Sequence, residues 1–370
     1  MGLSKVILGT VLVGMMFSMH HVNGQDISKP CDQLFPIVSQ EGKEGFIDHT
    51  GRVVVKPWLK SAGWLRSDVG YVETEHGEGF IDIKGNITIL NGVELSSGFN
   101  EGFAFAKILK HDGSRGKWGF INMKGEVVFE TKRYVEFAPY QEGLMIISNL
   151  LTVQHTRHTK LNKPSDPLSF LPPDDKAYYL DRKGIVQFGQ GFDAAYPFKD
   201  GYAFVNLNGK DAIIDRQGNY VLGPQSKHLV GVSEGLILEH DKGERAWIYR
   251  NLKGDIVLKV FFRNAQLFSE GLAAISGADG KTGFIDKKGN IVIEPKFDSA
   301  HNFSEGLAAV EINNKIGFVN KRGEIVIKPQ LIDDYAGLGF RCGLVDIETD
   351  AYRGYMNKKG GWVWKSRKIN

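Results

Sequence analysis

The chain has 370 residues, 42% of them apolar and 24% charged, with 45 Gly, two Cys and a formal net charge of +3. Those fractions exclude a disordered chain, a collagen-like fibre and a disulfide-dense miniprotein. So small a net charge gives no reason to expect a nucleic acid or an anionic membrane as partner.

Residues 1–24 read as an export signal. Lys5 supplies the basic start, an apolar run extends from Val6 to Met19, and the stretch turns polar before a cut after Gly24. The run falls short of the roughly 18–20 apolar residues that span a bilayer. The expected mature protein is therefore periplasmic or extracellular, with no transmembrane segment after signal cleavage. Residues 25–44 follow as an N-terminal segment.

The remainder repeats one pattern nine times. A Gly follows an Asp or Asn by three positions at Asp48/Gly51, Asp82/Gly85, Asn122/Gly125, Asp181/Gly184, Asp215/Gly218, Asn251/Gly254, Asp286/Gly289, Asn320/Gly323 and Asn357/Gly360. Successive glycines are 34, 40, 59, 34, 36, 35, 34 and 37 residues apart, a repeat signature. Apolar, mostly aromatic residues such as Phe46, Phe284 and Phe318 precede each Gly by five positions; Val55, Ile293 and Ile327 follow theirs by four. The Asx side chain caps the turn and Gly accepts a left-handed backbone, so each unit opens with a β-hairpin.

A second marker comes 17–20 residues later, at Gly70, Gly102, Gly143, Gly201, Gly235, Gly271, Gly306 and Gly343. Six of these follow an acid, and apolar runs such as Leu307-Ala308-Ala309-Val310 read as a third strand. Pro57, Pro295 and Pro329 close the second strand, where a missing N–H costs the sheet least. In this reading the ninth unit lacks its third strand. No long stretch has helical periodicity.

The run Gly283-Phe284-Ile285-Asp286-Lys287-Lys288-Gly289 through Asp298, then Phe303-Ser304-Glu305-Gly306-Leu307-Ala308, resembles the bacterial WG (KWG) repeat. Lys117-Trp118-Gly119-Phe120 carries the Trp-Gly pair itself. The resemblance covers residues 45–365. It implies an all-β, bacterial, non-catalytic array and transfers no catalytic residue. The expected fold is a tandem array of about nine three-stranded β-meander repeats, with an inserted loop at about 149–176 and a tail at 366–370. One unit cannot bury both strand faces, so neighbours must stack. An open, superhelical arrangement is expected, with a propeller-like closed ring as the alternative, because propeller blades typically have four strands. Cys31 and Cys342 discriminate between the two. Export permits a disulfide, but a bond needs Cα atoms within about 7 Å, which an extended array forbids.

The tempting catalytic motifs have plainer explanations. Gly231-Val232-Ser233-Glu234-Gly235 fits a nucleophile elbow, yet an elbow needs a strand–turn–helix, and Ser269-Glu270-Gly271 and Ser304-Glu305-Gly306 repeat the same marker. Gly280-Lys281-Thr282 lacks the glycine and helix of a phosphate loop. The Asx row lacks calcium-loop spacing, and the acid row is expected to satisfy backbone groups. No catalytic residue, metal site or cofactor is expected.

Two binding candidates remain. The insertion carries His155, Arg157, His158 and Lys160, a candidate partner-binding loop, since insertions in repeat arrays map to one face; His155 and His158 alone do not make a metal site. Trp58 and Trp64, in a loop of the first unit, are candidates for stacking on sugar rings, whereas Trp118 sits at a repeat position and is expected in the core. The leading functional expectation is a non-enzymatic exported scaffold that binds another protein. Glycan binding through exposed aromatics is the alternative, and an enzyme with a site assembled across repeats is the third.

Overall fold

The computed structural model describes residues 31–66, 68–110, 112, 114–131, 136–148, 176–225, 228–330, 339–349 and 351–367. Among them every regular element is a β-strand. The chain divides into two compact units: Met1–Asp32 with His49–Arg52 and Phe262–Asn370, and Gln33–Asp48 with Val53–Phe261.

The described residues form nine antiparallel sheets of three or four strands, each drawn from one contiguous stretch of chain. The eighth shows the plan. Ser299–Ala300, Leu307–Ile312, Lys315–Asn320 and Ile325–Gln330 lie side by side in chain order. Ala309 pairs with Phe318, and Phe318 with Ile327.

The expected meander is thus corrected in two respects. Seven sheets gain an additional edge strand, only two or three residues long in five of them, and the strand after the acid–Gly marker belongs to the following hairpin, not the preceding one. The reason is local. Leu307–Ile312 turns straight into Lys315–Asn320 through Asn313 and Asn314, both left-handed with φ of 51° and 59°, a turn that suits a hairpin. Phe35–Val38 therefore serves as the marker strand of the first sheet, inside the N-terminal segment 25–44 that was set apart from the repeats. The ninth sheet is not short of its marker strand either: Leu344–Glu348 pairs with Tyr352–Asn357, and that strand with Trp362–Arg367.

Alternate residues of each strand face opposite neighbours. Ala308, Val310 and Val319 of repeat eight pack with Ala274, Phe284 and Ile293 of repeat seven. Ala309, Ile316 and Phe318 pack instead with Phe340, Val345 and Met356 of repeat nine. Both faces are covered, as the paired apolar positions required. Each fully buried Phe or Ile contributes about 1.5–3 kcal/mol relative to exposure.

The glycine before the strand aromatic has a steric cause. A Cβ on Gly283 would lie 2.3 Å from the Ile293 carbonyl oxygen; on Gly79, 1.9 Å from that of Thr88; on Gly354, 2.1 Å from that of Trp364. The hairpin register shifts beside this position, and the local kink brings the facing backbone too close for any side chain.

In the hairpin turns, Asp286 Oδ1 accepts the backbone N–H groups of Lys288 and Asn290, each at 2.9 Å. A further bond joins the first and fifth side chains. It runs from an amide to a carboxylate, but the order of the two varies. Asn290 donates to Asp286 at 2.9 Å and Asn86 to Asp82 at 2.8 Å, whereas Asn122 donates to Glu126 at 2.8 Å and Asn251 to Asp255 at 3.0 Å. Each of these four turns thus keeps one amide and one carboxylate.

The Asn290 amide first of all, then the backbone donors and Lys288, hold Asp286 below the usual carboxylate range. Its stabilising effect is fully present above the unfolded value, at about pH 4, and is lost as pH falls through the lower folded value. Asp286→Asn should therefore lower the melting temperature more at pH 7 than at about pH 3, below the unfolded value, where part of the contribution is already lost. Adding Asn290→Asp, which reverses the pair, should restore most of the loss. Equal losses at both pH values would refute this account.

Cys31 and Cys342 are disulfide-bonded, with Cα atoms 5.6 Å apart and a sequence separation of 311. In the same unit, a Cβ on Gly51 would lie 2.8 Å from Val363 Cγ1, just as one on Gly323 would lie 2.9 Å from Ile293 Cγ2 of the preceding repeat. The turn of the first hairpin thus rests on the ninth sheet as other turns rest on the sheet before them. The expected extended array is corrected by these contacts, which agree with the ring alternative.

Candidate interaction site

The acid–Gly marker is a two-residue hairpin turn with both residues left-handed: Glu305 has φ 50° and Gly306 φ 84°. Ser304 N–H donates to Leu307 O at 2.8 Å and Leu307 N–H to Ser304 O at 3.2 Å. In repeat two the turn is displaced, with Asp68 at φ 74° and Gly70 inside the strand. A left-handed Glu is unusual, and its side chain explains it.

Glu305 Oε2 accepts the N–H of Gly343, the marker glycine of repeat nine, at 2.9 Å, and lies 3.0 Å from Lys358 Nζ in that repeat's hairpin turn. Glu270 does the same with Gly306 at 2.9 Å and Lys321 at 3.2 Å. Glu101 takes Gly143 at 2.7 Å and Arg182 at 3.0 Å; Glu142 takes Gly201 at 3.0 Å and Arg216 at 3.5 Å. Beside this clip, Ser304 Oγ donates to Phe340 O at 2.7 Å, Ser269 Oγ to Phe303 O at 2.8 Å, and Asn100 Nδ2 to Tyr140 O at 2.6 Å. These four acids of the row satisfy backbone amides, as expected, and two of the serines of the elbow-like motif tie successive repeats. The clip cation, the residue after the turn Asx, was missed in the sequence, although Arg182, Arg216, Lys321 and Lys358 share that position.

Between repeats five and six the clip is open. The acid is the shorter Asp200, the Ser/Asn position is Lys199, and Leu252 replaces the cation. Asp200 and Gly235 are exposed, and among the described residues neither makes the corresponding bond. At this junction a cleft of about 350 Å³ is lined by Gly201, Tyr202, Asp215, Arg216, Gln217, Val221 and Leu252.

The packing beneath is also unlike the other junctions. Glu239 is fully buried and receives Arg250 Nη2 at 2.8 Å, Arg250 Nε at 3.0 Å and Gln225 Nε2 at 3.3 Å. Arg250 also donates to Gly254 O at 2.8 Å. In repeat eight the corresponding residues are the buried Val310 and Val319. A buried pair of this kind costs desolvation that apolar residues avoid. Repeat six also exposes Ile256 at 53%, Val257 at 50% and Phe261 at 69% on and just beyond its last strand. That edge strand lacks the proline present in the last strands of repeats one, five, seven and eight.

The two candidate tryptophans differ. Trp58 is 45% exposed, whereas Trp64 is half-buried with its ring edge-on to Phe35 at 6.1 Å. Trp118 stacks on Phe105 at 5.3 Å at the core margin, as expected. His155, Arg157, His158 and Lys160 lie outside the described residues. Among the described residues there is no cluster of metal-ligating side chains and no helix long and apolar enough to cross a membrane.

The family model of the WG containing repeat matches residues 118–149, 191–210, 283–315 and 316–336. The chain carries WG repeats. The repeat that contains the match at 191–210 has Ala212 and Ile213 where most others carry the glycine and the aromatic. Similar solved structures include BamB from Moraxella catarrhalis, at 12% identity over 82% of this chain and 94% of that one, with a TM-score of 0.35. Apo AztD from Citrobacter koseri is 13% identical over 84% and 81% of the two chains, with a TM-score of 0.36. The WD40 β-propeller domain of Doa1 is 9% identical over 79% and 89%, with a TM-score of 0.34. No curated protein matches the sequence.

Proposed function

We propose that this WG-repeat protein is an exported, non-catalytic scaffold that presents its β-surface to another protein in the cell envelope or outside the cell. The observation that carries the reading is the apolar edge of repeat six: Ile256 and Val257 stand exposed on a strand paired on one side alone, with the exposed Phe261 just beyond its end. Apolar side chains concentrated at an open strand edge favour protein contact. The signal-like residues 1–24 and the Cys31–Cys342 bond favour export, since disulfides persist in oxidising compartments.

Affinity capture of the mature protein from its native envelope tests the reading. A stoichiometric protein partner is expected, and Val257→Thr with Phe261→Ser should weaken its capture by at least about tenfold, as for a central interface pair. Retained polysaccharide in place of a protein would favour the glycan reading, which the exposed Trp58 supports. Neither, with turnover on a substrate panel, would overturn both.

A further inference from the structure

We infer that the open clip between repeats five and six is a binding site for a basic side chain, lysine or arginine, of a partner protein. The inference rests on the protein-binding reading above and assigns it a site. Four clips within the two units define the complete arrangement: a left-handed acid takes one N–H from the next marker glycine and one cation from the next hairpin turn. At Asp200 both are missing. Leu252 stands at the cation's position, Asp200 and Gly235 are exposed, and the Gly235 N–H has no backbone partner among the described residues.

The charges around the cleft are otherwise spoken for. Both Asp215 oxygens are engaged, Oδ1 by the N–H groups of Gln217 and Asn219 and Oδ2 by the Asn219 amide. Arg216 donates to the Glu142 carbonyl, lies 3.5 Å from its carboxylate and rests over the Phe198 ring at 5.5 Å. Lys199 makes no ion pair with Asp200 among the described residues. What remains unmatched is one carboxylate and one N–H, next to a cleft whose Tyr202, Val221 and Leu252 walls suit an aliphatic stem. A lysine or arginine on a polypeptide supplies the cation for Asp200, the methylenes for the walls and a backbone carbonyl for Gly235.

The probe is the blocked tripeptide acetyl-Gly-Arg-Gly-amide, titrated into the mature protein, with norleucine in place of arginine as control. Saturable binding near about 1 mM is expected, confined to the arginine peptide and weakened at least tenfold by Asp200→Asn. Asp200→Glu with Leu252→Lys installs the residues of a closed clip; it should raise the melting temperature and abolish peptide binding. Equal binding of both peptides, no binding of either, or an unchanged Asp200→Asn variant would overturn the inference. A protein partner still captured in full by the closed-clip variant would also overturn it, while leaving the scaffold function standing on the repeat-six edge.

Discussion

Reduction of the Cys31–Cys342 bond should lower the stability of the protein by about 4–5 kcal/mol, near the top of the range seen for disulfides. The magnitude follows from the 311-residue separation, because closing a longer loop removes more chain entropy from the unfolded state. It also follows from the fold. Among the described residues each sheet is built from its own stretch of chain, and no strand from one end of the sequence completes a sheet at the other. Cys342 occupies the left-handed position that Glu305 holds in the preceding repeat, with φ 54° against 50°. Where Glu305 reaches its neighbour by a hydrogen bond, Cys342 reaches Cys31 by a covalent one. Cys31→Ser keeps the turn at Cys342 intact and should reproduce the reduced protein's melt. Intact mass before and after reduction and alkylation establishes the bond. Identical melts for the reduced and oxidised forms would contradict the prediction.

Gly283→Val should cost about 3 kcal/mol, the upper end for an overpacked site. The added Cβ meets the Ile293 carbonyl oxygen at 2.3 Å and the Pro295 nitrogen at 2.6 Å, both backbone atoms of the paired strand. Neither can rotate away, so the hairpin itself must open. The natural control is repeat five, where Ala212 occupies the same position. Ala212→Gly should cost no more than about 1 kcal/mol, chiefly from the greater freedom of the unfolded chain. Denaturant titration of both variants checks the contrast; a Gly283→Val protein as stable as wild type would remove the steric explanation of the repeat's glycine.

The turns and the buried aromatics were legible because each is a local matter. Asp286 and Gly289 specify a turn from four residues, and Phe284 and Ile293 sit opposite one another across it. The phase of the repeat was not legible from the markers alone. It depends on which link is short, and the signal was Asn313-Asn314, two residues suited to a left-handed hairpin, against the longer stretch from Phe297 to Leu307. The fourth strand was missed because pairs such as Ser299–Ala300 are too brief to carry a periodic pattern. The open clip was hidden for another reason. Leu252 in one turn and Asp200 in an earlier marker are unremarkable singly, and they acquire meaning only once Lys321 is seen to reach Glu270 across a repeat boundary.

The disulfide has a further consequence for a protein exposed to proteases. One cut anywhere between Cys31 and Cys342 leaves the two fragments joined, so oxidised protein nicked once keeps its full mass under non-reducing conditions. Release of a fragment from within that span takes two cuts, or one cut and a reductant.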